Sequence, residues 1–169
     1  RFVHLKVHSD FSMINGLAKV KPLVKTAVAN NMVAMALTDF SNFCGLVKFY
    51  GEALGSGLKP IIGADIFVRP EPDSEDFFEL TLLAKNNTGY HNITLLLSKA
   101  YQQGYIEFPL VEKAWLAELN EGIIVLSGGR NGDVGKALLK ENEAEADELV
   151  GFYQQYFPNH YYLALCRTG

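Results

Sequence analysis

Stretches with the two-residue period of a strand alternate with stretches of helical period along nearly the whole chain, and few architectures accept that order. Residues 2–8, 32–38, 59–68, 78–84, 122–126 and 161–165 read as strands. Residues 22–30, 45–54, 89–103, 133–139 and 144–156 read as helices, the first opened by Pro22 and the second closed by Gly55-Ser56-Gly57. Residues 69–76, with two prolines and four acids, read as a surface loop. Strands and helices in this sequence predict an α/β fold with a mostly parallel sheet, doubly wound or barrel-like. In either form the functional groups gather where the strands end at their carboxyl edge.

The chain has 169 residues, 49% of them hydrophobic, enough to bury the core of one domain. Its apolar runs are too short and too interrupted for a membrane span or a signal peptide. The net charge is −4, with acids concentrated at residues 71–79 and 141–148 and lysines scattered. Direct gripping of a nucleic-acid backbone is therefore disfavoured. Cys44 and Cys166 lie far apart in apolar surroundings, without metal-finger or redox spacing. That suits core residues in a reducing cytoplasm.

Polar residues at the strand ends are the ones to inspect: His8-Ser9-Asp10, Asp39 to Asn42, Asp65, Glu79, Ser127-Gly128-Gly129 and Arg167-Thr168. On a regular strand over residues 2–8, His4, Lys6 and His8 share one face. Two imidazoles flanking an ammonium look like a metal-binding strand with one ligand replaced, because a charged lysine has no lone pair to give a metal. Asp39 and Asn42 precede a helix and are candidates for its N-cap as well as for a metal. His4 reads as half-buried packing, His91 and His160 as exposed, and Ser127 to Arg130 as a tight turn lacking the spacing of a phosphate loop. Tyr101, Tyr105 and Phe108 are aromatic candidates for a docking surface and equally for the core.

Residues 2–16, 36–42 with 45–50, 58–65, 80–86 with 88–90, and 120–127, taken in order, resemble the polymerase and histidinol phosphatase (PHP) domain at the amino terminus of bacterial DNA polymerase III alpha subunits. The resemblance covers residues 2–169. It implies a distorted (β/α) barrel, here incomplete, with residues 1–169 forming the larger amino-terminal part and the remaining strands and polymerase domains lying outside. It also implies metal-dependent phosphoester hydrolysis in members whose His, Asp and Glu cluster is intact. His8 and Asp39 match the family's ligands. Lys6 and Phe40 stand where metal-binding members carry His, Asp65 where they carry Glu, Glu79 where they carry His, and a further His is expected near Thr168.

These replacements imply a degenerate site with no metal cofactor and no catalytic residues of its own. The Lys6 ammonium would neutralise Asp39, Asp65 or Glu79 in place of the lost cation. The expected role is a cytoplasmic, non-catalytic scaffold that docks the epsilon proofreading exonuclease and packs on the rest of the polymerase chain, whose activity is DNA synthesis. The alternative is an active phosphoesterase or 3′→5′ exonuclease using Mg, Mn or Zn at a reduced site of His8, Asp39, Asp65 and Glu79.

Overall fold

Helix α1, Val20–Ala29, places Val20, Leu23, Val24 and Ala27 at the i, i+3, i+4, i+7 spacing that lays one apolar stripe against a core. It starts two residues before Pro22, since a proline in the first turn gives up an N–H that no carbonyl would have received. The computed structural model describes residues 2–72 and 74–165. Cys166 and Thr168 lie outside them.

The chain divides into two compact units, Arg1–Asp65 and Ile66–Gly169. In the first, α1 is followed by β1, Ala34–Leu37, then α2, Leu46–Gly55, then the start of β2, Lys59–Arg69. β1 and β2 pair in parallel, Ala34 against Lys59 through Leu37 against Ile62. Every residue of β1 is buried, as a strand covered on both faces requires. Val20, Val24, Ala27, Met35, Leu37, Phe49, Ala53 and Leu58 form the core, with Val7 and Phe11 packed on it.

Residues 2–8 run beside β1 without forming a regular strand. Ala36 on β1 and Thr38 just past its end, two residues apart, donate their N–H groups to the carbonyls of His4 and Val7, three residues apart, at 2.8 Å each. The extra residue, with a bend at Leu5, breaks the alternation that would have put His4, Lys6 and His8 on one face. His4 is exposed and meets Phe2 edge-on, with ring centroids 4.7 Å apart, rather than packing half-buried.

The second unit begins with the end of β2 and continues through β3, Phe78–Ala84; α3, Asn87–Gln103; β4, Leu110–Glu112; and α4, Lys113–Glu118. It then runs through β5, Ile123–Ser127; α5, Asp133–Leu139; α6, Glu143–Tyr156; and β6, Tyr161–Tyr162. β4 pairs in parallel with the end of β2, and β6 in parallel with β5. β3 and β5 run antiparallel, from Leu80 against Ser127 to Ala84 against Ile123. The strand order β1-β2-β3-β5-β6, with β4 on β2, does not close on itself among the described residues. A mixed sheet flanked by helices and left open is the incomplete distorted (β/α) barrel that the resemblance implies, less uniformly parallel than the element order alone suggests.

Ser127 to Arg130 makes the tight turn expected, a short 3-10 helix from Gly129, whose φ is +57°. Cys44 is exposed, not a core residue. Phe108 belongs to an aromatic cluster, its ring centroid 4.9 Å from those of Phe67 and Phe77, whereas Tyr101 and Tyr105 are stacked and exposed. His160 is half-buried with both ring nitrogens engaged, by the Pro158 carbonyl at 2.8 Å and the Lys85 ammonium at 2.9 Å. Among the described residues no helix is long and apolar enough to cross a membrane.

A buried polar cluster ties α5 to α6 and β6. The Tyr153 hydroxyl donates to Asp133 Oδ2 at 2.7 Å, the Lys113 ammonium lies 3.6 Å from the same oxygen, and the Tyr153 and Tyr161 rings stack at 4.2 Å. Burial first, and then the Asp133 charge, hold both phenols above the ordinary value of 10.0. The folded chain therefore keeps protons that the unfolded chain gives up as the pH passes about 10, so the stabilisation is complete below that pH and lost above it. We expect the urea midpoint to fall on alkalinisation beyond pH ~10, and the fall to be shallower in Tyr153→Phe. Equal slopes in the two proteins would contradict this account.

Candidate functional site

The site forms within the first unit, where the leading segment, the end of β1 and the end of the first half of β2 meet. Asp65 closes that part of β2. Its N–H lies 3.3 Å from the carbonyls of Thr38 and Asp39, its carbonyl accepts from Ser41 N–H at 2.7 Å, and Phe40 bridges to it in parallel. These backbone bonds fix its side chain, which is wholly buried.

A buried carboxylate needs compensating charge or donors. Asp65 Oδ2 lies 3.1 Å from Lys6 Nζ and 2.5 Å from His8 Nε2. Lys6 is 41% exposed and His8 19%, so the imidazole approaches from within and the ammonium from the solvent side. Phe40 lies against His8 with ring centroids 4.7 Å apart and planes tilted by 46°. Lys6 was expected to neutralise Asp39, Asp65 or Glu79, and it meets Asp65.

Asp39 is also buried, but its carboxylate faces the 3-10 turn at Asp10–Asn15. Oδ1 accepts from Ser9 N–H at 2.7 Å and Ser12 Oγ at 2.5 Å, and Oδ2 accepts from Ser9 Oγ at 2.7 Å. The serines pass the network on: Phe11 N–H donates to Ser9 Oγ and Phe40 N–H to Ser12 Oγ, both at 3.2 Å. Asp39 thus pins the turn to the end of β1. It does not cap α2, whose first turn has no side-chain cap. Neither does Asn42, which accepts from Cys44 N–H and donates to the carbonyls of Phe11 and Phe40. Ser9 is among the strand-end residues singled out in the sequence, but Ser12 is not, although a pair of serines three residues apart after a strand is the signal that would have found it.

Glu79 belongs to the second unit. It sits half-buried on β3, where its carboxylate accepts from the Asn131 side-chain amide at 3.1 Å.

The metal centre that the resemblance implies for intact members does not fit these side chains. Lys6 puts a fixed positive charge on Asp65, Asp39 spends both oxygens on three internal donors, and Phe40 has no lone pair. Among the described residues no group of three or more His, Cys, Asp or Glu is placed to hold an ion. The arrangement neutralises and cross-links its own buried carboxylates.

The PHP domain model matches residues 4–168. DNA polymerase III subunit alpha of Pasteurella multocida is 70% identical over 169 residues, and that of Escherichia coli K12 59% identical over 170. In each case all of this chain is covered and 15% of the relative, so the chain spans about one seventh of their length. Two solved structures share the fold at low identity. A protein described as a metal-dependent phosphoesterase from Bifidobacterium adolescentis has a TM-score of 0.52 and 12% identity, covering 91% of this chain and 82% of that one. An amidohydrolase from Chromobacterium violaceum has a TM-score of 0.53 and 10% identity, covering 98% and 86%. With one family model spanning nearly every residue, and with His8, Asp39 and Asp65 at the ends of its opening segments, the chain belongs to the PHP domain family.

Proposed function

We propose that this chain is the PHP portion of a bacterial DNA polymerase III alpha subunit, and that it works there as a non-catalytic scaffold docking the proofreading exonuclease. The observation that carries the reading is the internal saturation of the site. Lys6 and His8 hold Asp65, and Ser9 and Ser12 hold Asp39, which leaves these carboxylates tying the chain together instead of serving a reaction. A net charge of −4 and the exposed Tyr101 and Tyr105 stack suit a protein partner better than a phosphate backbone. Such a module resides in the cytoplasm with the polymerase.

The test is co-elution. Full-length alpha subunit mixed with the exonuclease subunit is expected to elute as one complex, and alpha subunit lacking residues 1–169 is expected to leave the exonuclease unbound. Retention of the exonuclease by the shortened subunit would remove the docking role. Phosphodiester hydrolysis by exonuclease-free alpha subunit in Mn²⁺, lost in Asp65→Asn, would remove the non-catalytic one.

A further inference from the structure

We propose that the outward face of α2 is a helix-packing seam, and that its occupant is a helix from the polymerase region of the same, longer chain. α2 buries Phe49 and Ala53 in the core of the first unit. On its other side Val47, Tyr50, Gly51 and Leu54 take the i, i+3, i+4, i+7 positions that line one stripe of a helix. Val47 is 83% exposed, Leu54 54% and Tyr50 49%. Single apolar side chains on a surface need no explanation. Two turns of a helix with an apolar stripe on each side have the pattern of a helix packed twice.

Gly51 strengthens the case. It sits inside α2, where only proline is a poorer helix former, and a Cβ built on it meets nothing within 4 Å. Among the described residues nothing calls for a glycine there, and alanine would hold the helix better. In the middle of an apolar stripe, a glycine lowers the ridge and lets a second helix come close.

The size of the seam selects the occupant. Three side chains over two turns fall well short of the ~800 Å² a side that a stable complex of separate chains buries. A tethered segment needs far less, because the tether holds it at a high effective concentration. This chain covers 15% of the alpha subunits it matches, and the rest of such a subunit supplies the segment. The inference rests on the reading of this chain as part of an alpha subunit, and is independent of where the exonuclease docks.

Thiol labelling of full-length alpha subunit, read peptide by peptide by mass spectrometry, tests it. In the subunit alone, Val47→Cys and Leu54→Cys are expected to label more than about tenfold more slowly than in the same subunit unfolded in urea, whatever its concentration. A smaller slowing would leave the seam bare and overturn the inference. Adding Gly51→Gln to Val47→Cys is expected to restore most of the labelling rate, since glutamine keeps the helix and fills the gap. Unchanged protection would overturn the close approach at Gly51. Protection that falls on dilution would assign the seam to a second copy, and protection that arises only with the exonuclease subunit present would assign it to that partner; either overturns the in-chain occupant. Labelling of the subunit alone does not involve the exonuclease, so the docking role and the seam fail separately.

Discussion

Asp39→Ala is expected to lower the free energy of unfolding by about 3 kcal/mol, read as a shift of the urea midpoint at unchanged slope. The figure comes from what the substitution leaves behind. Ser9 N–H, Ser9 Oγ and Ser12 Oγ all donate to this carboxylate, Ser9 is fully buried and Ser12 nearly so. Alanine strands the three donors, and each buried group without a partner costs about 1–3 kcal/mol, partly recovered where the hydroxyls turn to other acceptors. Asp39→Asn keeps the volume and one acceptor and should cost roughly half as much. A loss below about 1 kcal/mol for alanine would mean that the turn at Asp10–Asn15 is held by other means.

The same turn depends on Gly16. A Cβ there would lie 1.8 Å from the Ser9 carbonyl oxygen, so backbone meets backbone at the point where the turn closes. Asp39 and Gly16 thus serve one feature from opposite ends, the first by hydrogen bonds and the second by having no side chain. This is the physical content of the motif at residues 2–16. Its polar members fold the segment onto β1 and bring Lys6 and His8 to Asp65.

How much of this could be read from the residues depends on how local each feature is. β3 and α5 fall on the residues that periodicity assigns, 78–84 and 133–139, because each is a short apolar pattern bounded by turn residues. α3 starts at Asn87 because Asn86 accepts from Gly89 N–H at 2.9 Å, a cap that moves the start two residues ahead of the apolar pattern. β4 and α4 were not foreseen. β4 has three residues and forms against the end of β2, with Phe67 opposite Leu110, so its strand character comes from a partner more than 40 positions away. The antiparallel pairing of β3 with β5 is likewise a property of the chain's path, which no local pattern encodes.

At the site, the chemistry was legible and the geometry less so. The charge balance of Lys6 against a strand-end carboxylate follows from the family resemblance, but selecting Asp65 over Asp39 requires knowing that two serines occupy Asp39 first. The shared face of His4, Lys6 and His8 fails for one reason: an extra residue between two backbone hydrogen bonds, which a strictly alternating sequence conceals.

Gly89→Ala is expected to cost about 3 kcal/mol, with a matching loss of thermal stability, although Gly89 sits in the first turn of a helix where alanine is the better helix former. An added Cβ would stand 1.8 Å from the carbonyl oxygen of Gly122, and a Cβ on Gly122 would stand 2.3 Å from Asn86 Oδ1 and 2.5 Å from Gly89 N. Gly122 also has a φ of +73°, which side chains resist. The two glycines belong to separate motifs, residues 88–90 and 120–127, and they touch where the start of α3 crosses the entry to β5. The Gly122 carbonyl accepts from Lys85 N–H at 2.8 Å, so pushing it away also loosens the link between β3 and α3. Intrinsic propensity favours alanine at Gly89 by about 1 kcal/mol, while the clash forces the backbone at both positions to move, and the clash is the larger effect. Should Gly89→Ala melt with or above the wild type, the close approach of α3 to β5 would not be what these glycines provide.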